Sequence, residues 1–327
     1  MEKVTRILRE SDVAELLDMQ QCIDVMDRTL REVWAGQTVN LQRDMIPQPA
    51  GNMFAIMGSS LTAQQRAGCK VIVFPGQQAK MAGSSQGIIP IFDTQTGRLL
   101  AIVDGEGVTG VRTAATSAAA TRALAREDAQ TLAILGAGRI GRLHVQAICA
   151  VRAIKKLYVW DIAEAATAGC CDWAQKEFGL ETVRCQTAQQ AVVDADIICT
   201  VTQASEPVVR GEWLKPGAHI NAVGACAPQV REVDTATIQR SSVFVDWAEA
   251  ALRDTGDLVL PIREGAFTPD SLAGEIGAVL AGQLPGRRSR DEITLFESVG
   301  IAVEDLAAAQ LVYERAQQQN RGALFTW

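Results

Sequence analysis

The stretch of sequence that decides the fold reads TLAIL at residues 131–135 and continues directly as GAGRIG at residues 136–141. The first segment is an apolar run of strand length, and the apolar residues after the second segment have helical spacing. A G-x-G-x-x-G turn that joins a strand to a helix is typical of dinucleotide-binding domains. This stretch therefore predicts a Rossmann domain, in which helices cover both faces of a doubly wound parallel sheet.

The three glycines and the next acidic residue fit a bound dinucleotide. Gly136 permits the tight turn, Gly138 lets a pyrophosphate approach the backbone, and Gly141 lets the helix lie against the strand. Asp161 ends the following predicted strand, where a carboxylate accepts hydrogen bonds from a ribose 2′-hydroxyl and repels a 2′-phosphate. We therefore expect NAD(H) to be preferred, while the guanidinium of Arg139 leaves NADP(H) as an alternative.

Strand patterns separated by helical patterns recur after this turn, as an α/β fold requires. They lie at residues 156–160, 197–201, 219–223, 243–246 and 294–296, and a final long helix is predicted at 301–319. The N-terminal third differs, because a helical pattern precedes extended segments at residues 53–57, 69–74, 88–92 and 99–103. A turn at 94–97 between the last two predicts a hairpin. The fold class is therefore α/β with a second, α+β domain.

Composition and charge exclude several classes of protein. The chain has 327 residues, a formal net charge of −7 and a pI near 5.1, which argues against nucleic acid or an anionic membrane as the main partner. The longest charge-free run contains Pro47 and Pro49, so it does not predict a membrane-spanning helix. The N-terminal residues are charged rather than apolar, so we expect a cytoplasmic protein.

The cysteines and histidines are poorly arranged for a metal site. The eight cysteines contain no C-x-x-C pair, and only His144 and His219 could add imidazole ligands. We therefore expect reduced, buried thiols and no bound metal.

Several further strings, taken together and in order, resemble the ornithine cyclodeaminase/mu-crystallin family. They are Lys70-Val71, Arg112-Thr113-Ala114-Ala115, the dinucleotide turn, INAVGA at residues 220–225, REVD at 231–234 and SVGIAVED at 298–305. The resemblance implies a homodimer of two-domain chains. Residues 115–305 would form the NAD-binding Rossmann domain, and residues 1–114 with 306–327 would bind substrate and form the dimer.

The resemblance also implies a site for a small amino or imino acid. Arg112 can hold a substrate carboxylate through two parallel hydrogen bonds, and Lys70 and Arg43 would join it. Lys70 is the candidate proton donor or water-orienting group, because burial lowers the pKa of a lysine toward neutrality. We therefore predict Lys70 and Arg112 as the catalytic residues.

The same strings assign further residues to the cofactor and the substrate. The predicted cofactor contacts are Thr113, Gly136, Gly138, Arg139, Ile140, Gly141, Asp161, Thr200, Val201, Val223, Gly224, Ser298 and Val299. The nicotinamide is expected near Val223, Gly224 and Val299. Besides the three cations, the substrate is expected to contact Cys226 and Val299.

One position departs from the cyclodeaminases of this family, which carry an aspartate where this sequence has Cys226. With a reference pKa of about 8.5, a cysteine is mostly neutral at pH 7 and offers no counter-charge to the side-chain ammonium of ornithine. The reduction of a C=N bond has no such ammonium to bind. We therefore predict an NAD(P)H-dependent reductase of small imino acids, such as Δ1-pyrroline-2-carboxylate or Δ1-piperideine-2-carboxylate.

Three alternatives stay open. The first is an ornithine cyclodeaminase, which converts ornithine to proline and ammonia, and the second is an alanine-dehydrogenase-like oxidoreductase. The third is a dinucleotide-binding protein with little turnover. The presence of Lys70 and Arg112 disfavours the third alternative, because a pure binding protein needs no carboxylate clamp.

Overall fold

The computed structural model describes residues 4–74 and 85–327. Its N-terminal part contains strands β1 (Val4–Leu8), β2 (Thr38–Asn40), β3 (Asp44–Pro47), β4 (Met53–Leu61), β5 (Arg66–Phe74), β6 (Gln86–Asp93) and β7 (Leu99–Asp104). The helices of this part are α1 (Glu10–Leu16), α2 (Met19–Trp34) and α3 (Gly105–Leu124).

Strands and helices alternate through the middle of the chain. The strands are β8 (Thr131–Leu135), β9 (Lys156–Trp160), β10 (Glu181–Arg184), β11 (Ile197–Thr200), β12 (His219–Ala222), β13 (Ser241–Val245), β14 (Gly274–Glu275) and β15 (Ile293–Glu297). The helices are α4 (Arg139–Val151), α5 (Glu164–Phe178), α6 (Ala188–Val192), α7 (Thr235–Arg240), α8 (Ala248–Asp254), α9 (Gly256–Arg263) and α10 (Ile276–Leu280). Helix α11 (Ala302–Gln318) and strand β16 (Ala323–Thr326) follow.

The chain forms two compact units. The first contains Met1–Arg112 with Gly300–Trp327, and the second contains Thr113–Val299. The limits expected from the sequence for the second unit were residues 115 and 305. The observed unit begins slightly earlier, at Thr113, and also ends earlier, at Val299. The chain re-enters the first unit at Gly300, before the expected residue 306, because α11 packs along its length against α2, β4 and β5 of that unit.

The first unit is built on a mixed sheet with the strand order β16-β1-β7-β6-β5-β4-β2, and β3 pairs with the far end of β4. Strands β4 to β7 are antiparallel neighbours, and the predicted hairpin joins β6 to β7. Strand β16 pairs with β1, and the Trp327 indole N–H donates to the Thr5 hydroxyl at 2.7 Å. Strand β16 therefore forms one edge of this sheet, next to β1.

The second unit is a parallel sheet with the strand order β10-β9-β8-β11-β12-β15-β13-β14. The chain leaves β8 toward β9 and β10 on one side, and then returns to place β11 and β12 on the other side. This reversal is the topological switch point of a doubly wound fold, where ligands bind at the carboxyl ends of the strands. The predicted Rossmann fold is confirmed.

In residues 4–74 and 85–327, no helix has both the length and the apolar character needed to cross a bilayer. The same residues hold no group of three or more histidine, cysteine, aspartate or glutamate side chains suited to a metal ion.

Candidate functional site

The glycine turn between β8 and α4 is tightly packed at two of its three glycines. Gly136 has a φ of +103°, which favours glycine, and an added Cβ would lie 2.7 Å from the Val201 carbonyl oxygen. An added Cβ at Gly141 would lie 2.0 Å from the Gly136 carbonyl oxygen. At Gly138, in contrast, an added Cβ would meet none of the described atoms within 4 Å. Gly138 therefore borders open space.

This open space lies at the N-terminus of α4. Gly138 is the N-cap residue, and no side chain in the described part of the protein caps the helix. The first N–H groups of a helix lack intrahelical acceptors and carry a partial positive charge. The turn therefore fits the pyrophosphate of a dinucleotide, whose oxygens would accept these hydrogen bonds.

Asp161 lies directly after β9, and two backbone groups fix its carboxylate. One oxygen accepts a hydrogen bond from the Ala137 N–H at 2.7 Å, and the other accepts one from the Ala163 N–H at 2.8 Å. The side chain stays partly exposed, so further lone pairs are available to a ribose hydroxyl. Arg139 is exposed in the first turn of α4.

Most other predicted cofactor residues of this unit gather at one edge of its sheet. At the carboxyl ends of β11, β12 and β15 lie Thr200, Val201, Val223, Gly224, Ser298 and Val299. These strands are parallel neighbours, so their carboxyl ends meet at the same edge. Ser298 is buried, and its hydroxyl has no hydrogen-bond partner among the described residues, which suits a polar ligand atom. Ile140 lies in the first turn of α4, and Thr113 lies on α3.

The first unit buries the two cations that the sequence predicts to be catalytic. Lys70 lies on β5 and Arg112 on α3, and they are only 3% and 5% exposed. Lys70 Nζ lies 2.7 Å from Asp305 Oδ2, and Arg112 Nε donates to Asp305 Oδ1 at 2.8 Å. Arg112 Nη1 donates to Glu304 Oε2 at 2.8 Å. One carboxylate therefore holds both cations in place.

Burial and charge have opposing effects on the ionisation of these groups. Burial lowers the pKa of Lys70 to about 8, although attraction to Asp305 limits the change. Burial alone would raise the pKa of Asp305, but attraction to Arg112 and Lys70 outweighs burial and holds this pKa below its ordinary value. Lys70 therefore titrates near neutral pH beside a carboxylate that stays ionised.

Arg43 adds a third cation to this cluster. It lies between β2 and β3, and its Nη2 group donates to the Gly300 carbonyl oxygen at 3.2 Å. The charge of Arg43 also lowers the pKa of Lys70, although by less than burial and the charge of Arg112 do. Arg43 therefore adds positive charge beside the ion pairs that Lys70 and Arg112 form with Glu304 and Asp305. Positive charge at this place suits a ligand carboxylate.

Sequence reasoning assigned no role to Glu304 and Asp305, although both lie in the quoted SVGIAVED string. They occupy the first turn of α11 and are completely buried. Acidic residues are common in the first turn of a helix, where they interact favourably with its dipole, so their position did not by itself indicate ion pairs. The available signal was two adjacent acids within a run of otherwise apolar residues.

These two sites define a class of protein with a Rossmann unit suited to a dinucleotide and an α+β unit suited to a small carboxylate. The chain belongs to the ornithine cyclodeaminase/mu-crystallin family, whose sequence profile matches residues 3–320. The resemblance found in the sequence is thereby confirmed.

Individual members of the family are similar over almost the whole chain. The Δ1-pyrroline-2-carboxylate reductase of Bacillus cereus is 35% identical, covering 97% of this chain and 98% of that protein. The solved structure of Thermococcus litoralis Δ1-pyrroline-2-carboxylate reductase with NADH and L-proline is 33% identical, with a TM-score of 0.94 over 98% of this chain and 99% of that one. An archaeal alanine dehydrogenase dimer with bound NAD is 28% identical, with a TM-score of 0.93 over the same shares of the two chains.

Two glycine substitutions separate the folding role of the turn from its ligand role. Gly138→Ala places a methyl group in open space, so we expect normal thermal stability but at least tenfold weaker NADH binding. Gly141→Ala forces a methyl group against backbone, so we expect a loss of stability of about 1–3 kcal/mol. Thermal unfolding and fluorescence titration with NADH measure both effects. Unchanged NADH affinity in Gly138→Ala would contradict a pyrophosphate site at this turn.

Proposed function

We propose that this protein reduces small cyclic imino acids with NADH, with Δ1-pyrroline-2-carboxylate and Δ1-piperideine-2-carboxylate as representative substrates. The observation that carries the proposal is the group of three cations, the buried Lys70 and Arg112 with the half-buried Arg43, which suits a substrate carboxylate. The similar reductases of Bacillus cereus and Thermococcus litoralis support the same reaction. L-Proline, which accompanies NADH in the latter structure, is the reduced form of Δ1-pyrroline-2-carboxylate.

The cofactor would bind along the carboxyl edge of the second unit's sheet. The turn from Gly136 to Gly141 would hold the pyrophosphate, and Asp161 would accept hydrogen bonds from the adenosine ribose. When bound, NADH supplies the hydride that adds to the carbon of the C=N bond. Asp161 favours NADH over NADPH, because its fixed carboxylate would repel a 2′-phosphate.

The cation cluster would fix the substrate and control its proton. Nε and Nη1 of Arg112 already donate hydrogen bonds to Asp305 and Glu304, so the guanidinium is held in position before a substrate binds. Lys70 Nζ can hold or release a proton near neutral pH, because burial lowers its pKa to about 8. A protonated imine is already electrophilic, so orientation and charge neutralisation by these side chains supply most of the catalysis.

The residue at position 226 supports reduction over cyclodeamination. Cys226 is exposed, and its thiol donates to the Val223 carbonyl oxygen at 3.5 Å. A thiol at this position offers the side-chain ammonium of ornithine a weaker partner than the aspartate that the cyclodeaminases of the family carry there. An imino acid brings no second ammonium, so its binding has no such requirement.

We also propose that the protein is a cytoplasmic homodimer. The face of the first unit's sheet that carries Ile56 and Ile88 is apolar and open, and these side chains are 38% and 45% exposed. They form one cross-strand row with Val71. Contiguous exposed apolar surface of this kind is typical of association interfaces. The cysteines are free thiols, which is typical of cytosolic proteins.

The reaction is tested by following NADH oxidation with Δ1-pyrroline-2-carboxylate. We expect turnover by the wild type and at least a 100-fold loss of kcat/KM in Lys70→Ala and Arg112→Ala, because each removes a cation that would hold the substrate carboxylate or control its proton. NADH affinity should stay within twofold. Arg66→Ala is the matched control, since Arg66 lies on the same strand as Lys70 but pairs with Asp93.

Three outcomes of this assay would contradict the proposal. Ammonia release from ornithine without net NADH oxidation would identify a cyclodeaminase. Ammonia-dependent reduction of pyruvate, with no activity on imino acids, would identify an alanine dehydrogenase. Full activity in both alanine variants would show that Lys70 and Arg112 are not part of the active site.

The pH dependence of kcat/KM tests the protonation of Lys70. The pKa of Lys70 is lowered to about 8, so its positive charge is lost as pH rises through this value and kcat/KM should fall there. In Lys70→Arg the guanidinium stays charged, so the fall should move above pH ~10 even if the overall rate is lower. If both enzymes show the same alkaline fall, the titrating group is not Lys70 and belongs elsewhere, such as on the imine.

Dimer formation is tested by a charge on the open sheet face. We expect Ile88→Lys to shift the particle from dimer to monomer in light scattering, because a buried lysine in an apolar interface is strongly unfavourable. Ile162→Lys is the control, since Ile162 is 93% exposed in the second unit and its replacement should leave the dimer intact. A monomeric wild type would refute the proposal directly.

A further inference from the structure

A buried carboxylate outside the cation cluster joins two strand ends in the second unit. Glu232 is completely buried, and its Oε1 accepts hydrogen bonds from the Thr202 N–H at 2.6 Å and the Thr202 hydroxyl at 2.5 Å. Its Oε2 accepts a hydrogen bond from the Gly224 N–H at 2.6 Å. Thr202 follows β11 and Gly224 follows β12, so one side chain ties together the carboxyl ends of two neighbouring strands.

The backbone of Glu232 is held just as firmly as its side chain. Its N–H donates to Asp257 Oδ1 at 2.8 Å, and Asp257 is itself buried in the first turn of α9. Its carbonyl oxygen accepts hydrogen bonds from the N–H groups of Val208 and Val209 at 2.7 and 3.0 Å. Glu232 is therefore fixed from three directions, and it can transmit that rigidity to whatever its carboxylate binds.

Gly224 packs directly against this carboxylate. An added Cβ at Gly224 would lie 2.4 Å from the Thr202 carbonyl oxygen and 2.6 Å from Glu232 Cδ. Glu232, Thr202 and Gly224 thus pack together without room for an additional methyl group. A shift of the Glu232 carboxylate would move both strand ends.

The location of these three residues, at the carboxyl ends of β11 and β12, relates them to a bound dinucleotide. In a doubly wound fold, each half of the sheet binds one half of the dinucleotide. The glycine turn and Asp161 follow β8 and β9, so the adenosine half belongs to that side of the switch point. The nicotinamide half is left to the ends of β11 and β12, where Glu232 holds Thr202 and Gly224.

We propose that Glu232 is a positioning residue that sets the orientation of the nicotinamide half of the cofactor by fixing Thr202 and Gly224. This inference rests on the proposed function, because it requires that the protein binds NADH. Glu232 acts through these two neighbours, so its loss should affect the nicotinamide half and spare the adenosine half.

Comparing NADH with ADP-ribose, which lacks the nicotinamide, tests this role. Glu232→Gln keeps the size of the side chain but replaces one accepting oxygen with an amide nitrogen, so a backbone N–H loses its partner. We expect the Kd for NADH in calorimetry to rise about tenfold and that for ADP-ribose to stay within twofold. At saturating NADH, kcat should also fall.

Asp196→Asn is the matched control for a general loss of stability. Asp196 is also a buried, multiply bonded carboxylate, and it accepts hydrogen bonds from the Gln130 and Thr131 N–H groups. These contacts lie at the amino ends of β8 and β11, opposite the proposed cofactor edge. We expect Asp196→Asn to lower the thermal stability without changing the ratio of the two dissociation constants.

The possible results separate the two proposals. A wild type that binds neither NADH nor ADP-ribose would overturn the proposed function. A wild type that binds both, with Glu232→Gln weakening both equally or neither, would overturn only the positioning role. If Glu232→Gln does not fold, Thr202→Val removes the hydroxyl donor alone and should weaken NADH binding about threefold relative to ADP-ribose. An unchanged ratio in that variant would overturn the inference.

Discussion

The first unit depends on the carboxylate of Asp305, which lies between Lys70 and Arg112. Two buried cations so close together would repel each other and lose their hydration, and this carboxylate compensates both effects. Removing one partner of such a buried network typically costs 3–5 kcal/mol. The network also links β5, α3 and α11, so the charges of the site hold together elements that are far apart in the sequence. The same ion pairs that stabilise the unit therefore prepare it for an anionic ligand.

The two units contribute different kinds of chemistry to the proposed reaction. The second unit offers backbone N–H groups, a fixed carboxylate at Asp161 and a row of parallel strand ends, all of which suit a large, polar cofactor. The first unit offers cations that buried carboxylates hold in place, which suits a small acid.

Local patterns in the sequence were sufficient for the Rossmann unit. The turn from Gly136 to Gly141 and the apolar strands around it are short-range signals, and each depends only on residues that are close along the chain. The carboxylate partners of Lys70 and Arg112 could not be found in this way, because nearly the whole Rossmann unit separates them from α11. Glu232 is a similar case, since nothing near REVD indicates that its carboxylate reaches both Thr202 and Gly224. Ion pairs and hydrogen bonds between distant segments follow from the tertiary fold.

The discontinuous first unit has a consequence for synthesis on the ribosome. Domains generally fold as units, and N-terminal ones usually fold first while translation continues. Here the strands from β1 to β7 emerge first, but α11 and β16, which cover and extend their sheet, are translated last. Residues 113–299 hold all the strands of their own sheet and can fold while the earlier segment still waits. The first unit can therefore be completed only after the whole of the second unit has been synthesised.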